Sequence, residues 1–408
     1  MTAKVSRTVA VAEPVSAPSG TRCPCCRAGE LEPFLDLGEV PTRIGAQYAT
    51  REQALGCQFG RIHLAVCPQC RFVSNIGFSS EIIDYKEPYD NDLGFSSVYQ
   101  EYERELVERL IREHGLRGKR VVEIGCGRGR FLERLCRAGG NRGIGFDPSL
   151  AAAECSSSSS PDGSVELVAD YYPGVGGPRE ADLITCRQVL EHIPDPLVFL
   201  LELRATMKDG STVVFFEVPN FEYVLDRLAL WTIVYEHCSY FTRDSLRYVF
   251  EQAGFAVSRV YDCFDEQFLA IEARPNDGVA PRVASAEKLA AADRMEAFPA
   301  KVRDKLGDWQ KEMDTFRAQG KCAVVWGAGA RAVCFLNLVP GSADIPVVVD
   351  VNPNKAGKFL PGTGHRIVDP ASLPAYRPDV VIVMNDIYRD EIRVSVESLG
   401  LRSEFLYA

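Results

Sequence analysis

Glu123 lies in the apolar run Val121-Val122-Glu123-Ile124, and Gly125, Gly127 and Gly129 follow at alternate positions. Glycines at that spacing let the backbone approach a ligand closely where a strand turns into a helix. A helix-like stretch, Phe131 to Cys136, comes next. Asp147 closes the following apolar run, Gly143 to Phe146, and Asp170 closes a third, Val165 to Ala169. Acids that end successive strands can face one nucleoside-like ligand along the carboxyl edge of a parallel sheet, as an acid does for a ribose hydroxyl. A strand-to-helix turn without a ligand is the plainer reading, but the glycine loop and the acids occur together and in order.

Two further constellations carry chemistry. Cys23 and Cys26 form one C-x-x-C pair and Cys67 and Cys70 another, each with a proline inside it, Pro24 and Pro68. Two such pairs can meet in a four-thiolate tetrahedral zinc site. Cys25 and Cys57 are spare thiols, and redox chemistry would need only one pair. The gap between the pairs exceeds that of a compact zinc finger and predicts a small β-rich insert. Near the C-terminus, Gly327-Ala328-Gly329-Ala330-Arg331-Ala332 fits G-x-G-x-x-A, and Asp350 follows about twenty residues beyond the glycines. Alone, that is a dinucleotide fingerprint and raises an NAD-linked oxidoreductase.

These residues need elements to hold them. The spacing of Leu106, Leu110 and Ile111 predicts a helix from Ser97 to His114. From 119 to about 273 strand and helix signals alternate, which predicts a parallel sheet with flanking helices. Ser156 to Ser160 reads as an exposed loop, and 284 to 319 as one or two helices broken or kinked near Pro299. The organisation expected is a disordered lead-in over 1–20, a zinc-binding domain over 21–80, an α/β core over 81–280, a helical connector over 281–320 and a Rossmann-like domain over 321–408.

The glycine series resembles the class I methyltransferases that bind S-adenosylmethionine. A dinucleotide site runs G-x-G-x-x-G, whereas here the order is E-x-G-x-G-x-G. The resemblance implies a class I methyltransferase core in which Glu123, Gly125, Gly127 and Gly129 pass under the methionine part of the cofactor. It also implies that Asp147 holds the ribose and Asp170 lies beside the adenine.

The whole chain from Cys23 onward resembles the sugar C-methyltransferases of deoxysugar biosynthesis. The tail carries the most specific match: Trp326 to Ala330, Val349-Asp350-Val351-Asn352-Pro353, Gly357 to Thr363 and Asp390-Glu391-Ile392. That family implies zinc on Cys23, Cys26, Cys67 and Cys70. It also implies a tail that packs on the core and helps hold the nucleotide of an activated sugar, with no redox chemistry. Val189-Leu190-Glu191-His192-Ile193-Pro194-Asp195 and Glu236-His237-Cys238-Ser239-Tyr240-Phe241 match its reactive motifs. Methylating a carbon beside a ketone requires removal of a proton to give an enolate, which needs a base, His237, and an oxyanion stabiliser, His192. Glu236 would orient the base. In the family a tyrosine usually precedes the motif glutamate by two residues. Here Val234 holds that place and Tyr235 follows, while Tyr85 or Tyr89 stands for a second site tyrosine. Other acceptors, on carbon or oxygen of a small biosynthetic intermediate, fit the same base, and a non-catalytic zinc scaffold is the reading of another class.

Composition narrows the partners. A net charge of −10 argues against non-specific nucleic-acid binding. No apolar run approaches the roughly 20 residues of a membrane helix. Residues 1–20 lack the apolar core of a signal peptide, so a cytoplasmic enzyme acting on a small molecule is expected.

Overall fold

The computed structural model describes residues 21–83, 93–153, 157–160, 162–173, 180–207, 210–276 and 288–408. Tyr85 and Tyr89 lie outside the described residues.

An antiparallel sheet comes first. β1 (Glu32–Pro41) pairs with β2 (Phe59–Val66), with α1 (Arg51–Leu55) between them in sequence, and β2 pairs with β3 (Val73–Asn75). Leu35, Leu37, Ile62 and Leu64 are fully buried in a core that this sheet shares with the C-terminal helices. α2 (Ser97–His114) follows, over the stretch that its spacing predicts. The Ser96 hydroxyl caps its N-terminus, and Gly115, in the left-handed region at φ 62°, ends it.

The central layer contains β4 (Arg120–Ile124), α3 (Arg130–Gly139), β5 (Arg142–Phe146), β6 (Ser157–Ser159), β7 (Val165–Val168), β8 (Leu183–Arg187), α4 (Pro196–Ala205), β9 (Val213–Pro219) and α5 (Phe221–Arg227). α6 (Arg243–Gln252), β11 (Phe255–Cys263) and β12 (Phe268–Pro275) complete it, and β10 (Ser239–Tyr240) lies between α5 and α6 in sequence. The eight-stranded sheet has the order β11-β12-β9-β8-β4-β5-β7-β6. β9, β8, β4, β5 and β7 run parallel, and β6 and the β11–β12 pair are antiparallel additions at the two edges. Strand order reverses at β4, with β5 on one side and β8 on the other. Such a switch point opens a crevice at the carboxyl ends of the strands, where the Gly125–Gly129 loop lies. Where a loop is expected, Ser157–Ser159 instead pairs with Val168–Glu166 as an edge strand. An edge strand needs one hydrogen-bonding neighbour and tolerates hydroxyl side chains, so apolar alternation does not announce it.

β10 belongs to the other sheet. It leaves the core and pairs with β3, giving the order β1-β2-β3-β10. The segment that carries Glu236 and His237 is thereby pinned between two sheets.

α7 (Lys288–Gln319) runs through Pro299 as one 32-residue helix. Met295, Phe298, Val302, Leu306, Trp309, Met313 and Phe316 form a buried stripe at three- and four-residue spacing, and this burial offsets the hydrogen bond that proline removes. β13 (Ala323–Trp326), α8 (Ala330–Leu338), β14 (Val347–Val349), β15 (Arg366–Val368), β16 (Val380–Val383), α9 (Arg389–Ser398) and β17 (Glu404–Tyr407) build a five-stranded parallel sheet of order β15-β14-β13-β16-β17. Its own switch point is at β13, before the Gly327–Gly329 loop. Among the described residues, no helix is long and apolar enough to cross a membrane.

Candidate active site

The carboxyl ends of the two parallel sheets open into one cavity of about 1350 Å³. Gly125 to Arg128 line one end of it and Gly327, Gly329, Ala330 and Arg331 the other, with His192 and His237 also on its wall.

At the β4 end the chain is shaped to pass beneath a ligand. Gly125, Gly127 and Gly129 all have positive φ, at 70°, 52° and 78°. A Cβ at Gly125 would strike Val189, and one at Gly129 would strike Leu167, whereas nothing lies within 4 Å of one at Gly127. The outer glycines thus serve packing, and the middle one borders open space. Asp147 Oδ2 accepts from Gly127 N at 2.7 Å, and Oδ1 accepts from Ser149 N and its hydroxyl at 2.8 and 2.6 Å. A carboxylate has about four acceptor positions, so one on Oδ2 remains for a ligand hydroxyl. Asp170 lines the cavity beside Tyr171 and Tyr172, and its Oδ1 accepts from Tyr171 N at 2.8 Å. Glu123 is buried, Oε2 has no hydrogen-bond partner among the described residues, and burial pushes its carboxyl up to about 8. An orphaned acid beside an open glycine cradle suits a cationic ligand such as a sulfonium with an amino-acid head. Asp147→Ala should therefore weaken S-adenosylmethionine binding by at least about 1 kcal/mol, the loss of a charged acceptor. Unchanged affinity by calorimetry would remove Asp147 from the cofactor site.

The sequence reading missed a buried ionic network behind that end. Arg187, at the end of β8, bonds Glu103 at 3.1 Å, Glu217 at 3.3 Å and the Tyr99 hydroxyl at 3.0 Å, and its guanidinium stacks 4.1 Å from the Phe131 ring centroid. Tyr102 donates to Glu217 as well. A charged residue ending the apolar run Leu183 to Cys186 is the signal that could have revealed it.

At the middle of the cavity His192 and His237 meet edge to face, with ring centroids 4.9 Å apart. Both border the cavity and are half-buried. His192 Nδ1 lies 3.0 Å from the Glu236 carbonyl oxygen, which only accepts, so Nδ1 carries the hydrogen. Burial lowers His192 to about 4 and holds His237 well below its ordinary range. The Glu236 side chain also reaches the N-terminal region. Its Oε1 accepts from Ile44 N at 3.1 Å and ties the motif to the N-terminal sheet. Tyr235 is not among the residues lining the cavity. Its ring packs 5.4 Å from Phe78 and its hydroxyl accepts from Ser79 N at 2.8 Å. Tyr223, on α5, does line the cavity.

At the β13 end the acid of the dinucleotide fingerprint is already satisfied. Asp350 accepts from Ala328 N at 2.7 Å and Asn352 N at 2.8 Å, and Lys355 Nζ sits 3.1 Å from it. An acid paired with a buried lysine is poorly placed to hold an NAD ribose. Arg331, by contrast, faces the cavity near the start of α8. It bonds Gln267 Oε1 at 2.7 Å, the Met384 carbonyl at 3.3 Å and Tyr223, and makes no ion pair among the described residues.

The four expected thiol ligands lie together away from the cavity. Cys23 Sγ is 3.6 Å from Cys70 Sγ, Cys26 Sγ is 3.6 Å from Cys67 Sγ, and all four sulfurs fall within 4.8 Å of one another. Zn–S bonds of about 2.3 Å in a tetrahedron place sulfurs roughly 3.8 Å apart, so the donor set fits zinc. Each pair is followed by a residue in the left-handed region, Arg27 at φ 62° and Arg71 at φ 61°, and closed by a turn bond to the first cysteine's carbonyl. Cys25 points elsewhere, toward the Ser245 carbonyl.

Residues 99–260 match the family described as a methyltransferase domain, and residues 273–403 match the one described as a C-methyltransferase C-terminal domain. The C-methyltransferase NovU of Streptomyces niveus is 29% identical over 396 residues, covering 90% of each chain. A ubiquinone biosynthesis O-methyltransferase of Methylococcus capsulatus is 36% identical over 117 residues, 26% of this chain and 47% of that one. The match thus spans about half the length of that relative. Among solved structures, an S-adenosylmethionine-dependent methyltransferase from Clostridium acetobutylicum aligns over 44% of this chain and 92% of its own, with 14% identity and a TM-score of 0.35. Glycine loop, strand order and sequence relatives agree: the chain is an S-adenosylmethionine-dependent methyltransferase built on a class I core.

Proposed function

We propose that this methyltransferase adds its methyl group to carbon of a nucleotide-linked deoxy-ketosugar. The carrying observation is Arg331: a half-buried guanidinium facing the cavity, hydrogen-bonded only to neutral groups among the described residues and with Asp386 as the acid acting on it from nearby. A cation in such a place needs an anion, and a sugar diphosphate supplies one within reach of the methyl donor's end of the same cavity. The C-methyltransferase names on the tail match and on NovU support carbon as the acceptor.

S-adenosylmethionine supplies the methyl group. The chain's residues do the rest. His237 takes the proton beside the ketone, His192 faces the oxygen that gains charge, and the cavity wall holds the acceptor in line with the sulfonium. Tyr235 acts by anchoring its segment, and Glu236 by fixing both the backbone at Ile44 and the tautomer of His192. Cys23, Cys26, Cys67 and Cys70 hold zinc as a closed structural site, and thiolate ligands suit a reducing, cytoplasmic setting.

The anion site is testable without knowing the sugar. Arg331→Met should weaken binding of dTDP or UDP, measured by calorimetry, by about 1.5–3 kcal/mol, the range for a charge-assisted contact. Wild-type protein that binds neither nucleotide, or a variant that binds them equally well, would remove the diphosphate from this end of the cavity.

A further inference from the structure

Two groups on the cavity wall are left without partners. Glu191 is 2% exposed, and its Oε2 has no hydrogen-bond partner among the described residues. His237 Nδ1 is likewise buried and unpaired. Carboxylate and ring-nitrogen atoms of Glu191, His192 and His237 lie within 4.8 Å of one another, a gap that direct contact or one water closes. His192 has its Nδ1 committed to the Glu236 carbonyl. The unpartnered acceptor and the unpartnered ring nitrogen thus belong to two side chains of one cluster, with His237 Nε2 left to meet a molecule in the cavity.

We propose that Glu191 is the proton-sharing partner of His237, receiving from Nδ1 a proton when Nε2 takes one from the acceptor. The step rests on the carbon-methylation reading above. The acceptor's C–H bond breaks and its electron pair stays behind as the enolate. The proton bonds to Nε2, the Nδ1–H bond breaks, and that proton bonds to the Glu191 carboxylate. His237 ends neutral in the other tautomer and Glu191 ends as a neutral carboxylic acid, so no imidazolium is formed in a buried site.

Burial explains why a partner is needed. It makes His237 alone a weak base, and it drives Glu191 the opposite way, up to about 8. The ionisable groups around Glu191 are Glu217 on β9, which pushes it further up, Cys186 on β8 and Cys238 before β10, both thiols raised by burial, and the two histidines. The pair accordingly has the proton affinity of the carboxylate and the reach of the imidazole.

Nitrogen-15 NMR of histidine-labelled, zinc-loaded full-length protein with S-adenosylhomocysteine tests this. The chain has five histidines, and a His237→Asn spectrum assigns the resonance. The expected result is a His237 ring that holds its hydrogen on Nδ1 and shows one pH step near neutrality, lost in Glu191→Gln while S-adenosylhomocysteine affinity is kept. Glu191→Asp, which retains a carboxylate, should keep the step with a displaced midpoint and serves if the glutamine variant fails to fold. Identical His237 titrations in wild type and Glu191→Gln, or an unchanged midpoint in Glu191→Asp, would overturn the pairing. Stoichiometric broadening of both the His192 and His237 signals by Mn²⁺ would overturn it too, by giving the cluster to a metal. No acceptor is present, so a methyl later found on oxygen would sink the carbon reading without deciding this one.

Discussion

His237→Ala should lower turnover by about 100-fold or more while leaving S-adenosylmethionine affinity nearly intact, the pattern of a lost general base. His237 sits on the cavity wall against His192, outside the glycine turn and its Asp147 contacts. The same site should exchange the acceptor's proton beside the carbonyl for deuterium when S-adenosylhomocysteine replaces the donor, and His237→Ala should not. Exchange at the wild-type rate in the variant would move the base to another cavity residue. Tyr235 is not such a residue, since it does not line the cavity and its hydroxyl accepts from Ser79 N.

Cys67→Ser should yield insoluble or unstable protein, with zinc content falling from one per chain toward zero. Cys67 is fully buried, and a Cβ at Gly29 would lie 2.6 Å from its sulfur, so the two C-x-x-C loops close directly on each other. The cysteines share a core with Phe72, Phe241, Leu246 and Phe250. Loosening the metal loops thus opens apolar surface of the methyltransferase layer as well. Metal binding and folding are coupled where the site does not exist in the unfolded chain. Soluble, zinc-free wild-type protein prepared without chelators would contradict the metal assignment.

Much of this was legible from spacing. Glycines at alternate positions after an apolar run locate a positive-φ turn on the cavity wall, and the acids ending the next two runs line the same cavity. Two C-x-x-C pairs reveal a four-thiolate site whatever lies between them. Pro299 leaves one helix or two open, because a proline's local cost is set against burial of Phe298 and Val302, which only the tertiary packing reveals. The fates of Glu236 and Tyr235 were not legible, since adjacency in sequence does not say which way a side chain turns. Pairing of β10 with β3 directs both toward the N-terminal sheet. Glu191 and Arg331 were hidden for a related reason: each matters because of what is missing around it, and sequence does not show an unmet charge.

Carbon methylation is tested most directly by incubating the enzyme with a nucleoside-diphosphate-linked deoxy-ketosugar and S-adenosylmethionine carrying a ¹³C methyl group, then reading the product by carbon NMR. The expected product carries the label bonded to ring carbon beside the regenerated ketone, with one proton lost from that carbon. Label bonded to oxygen, with the neighbouring C–H intact, would contradict the enolate route.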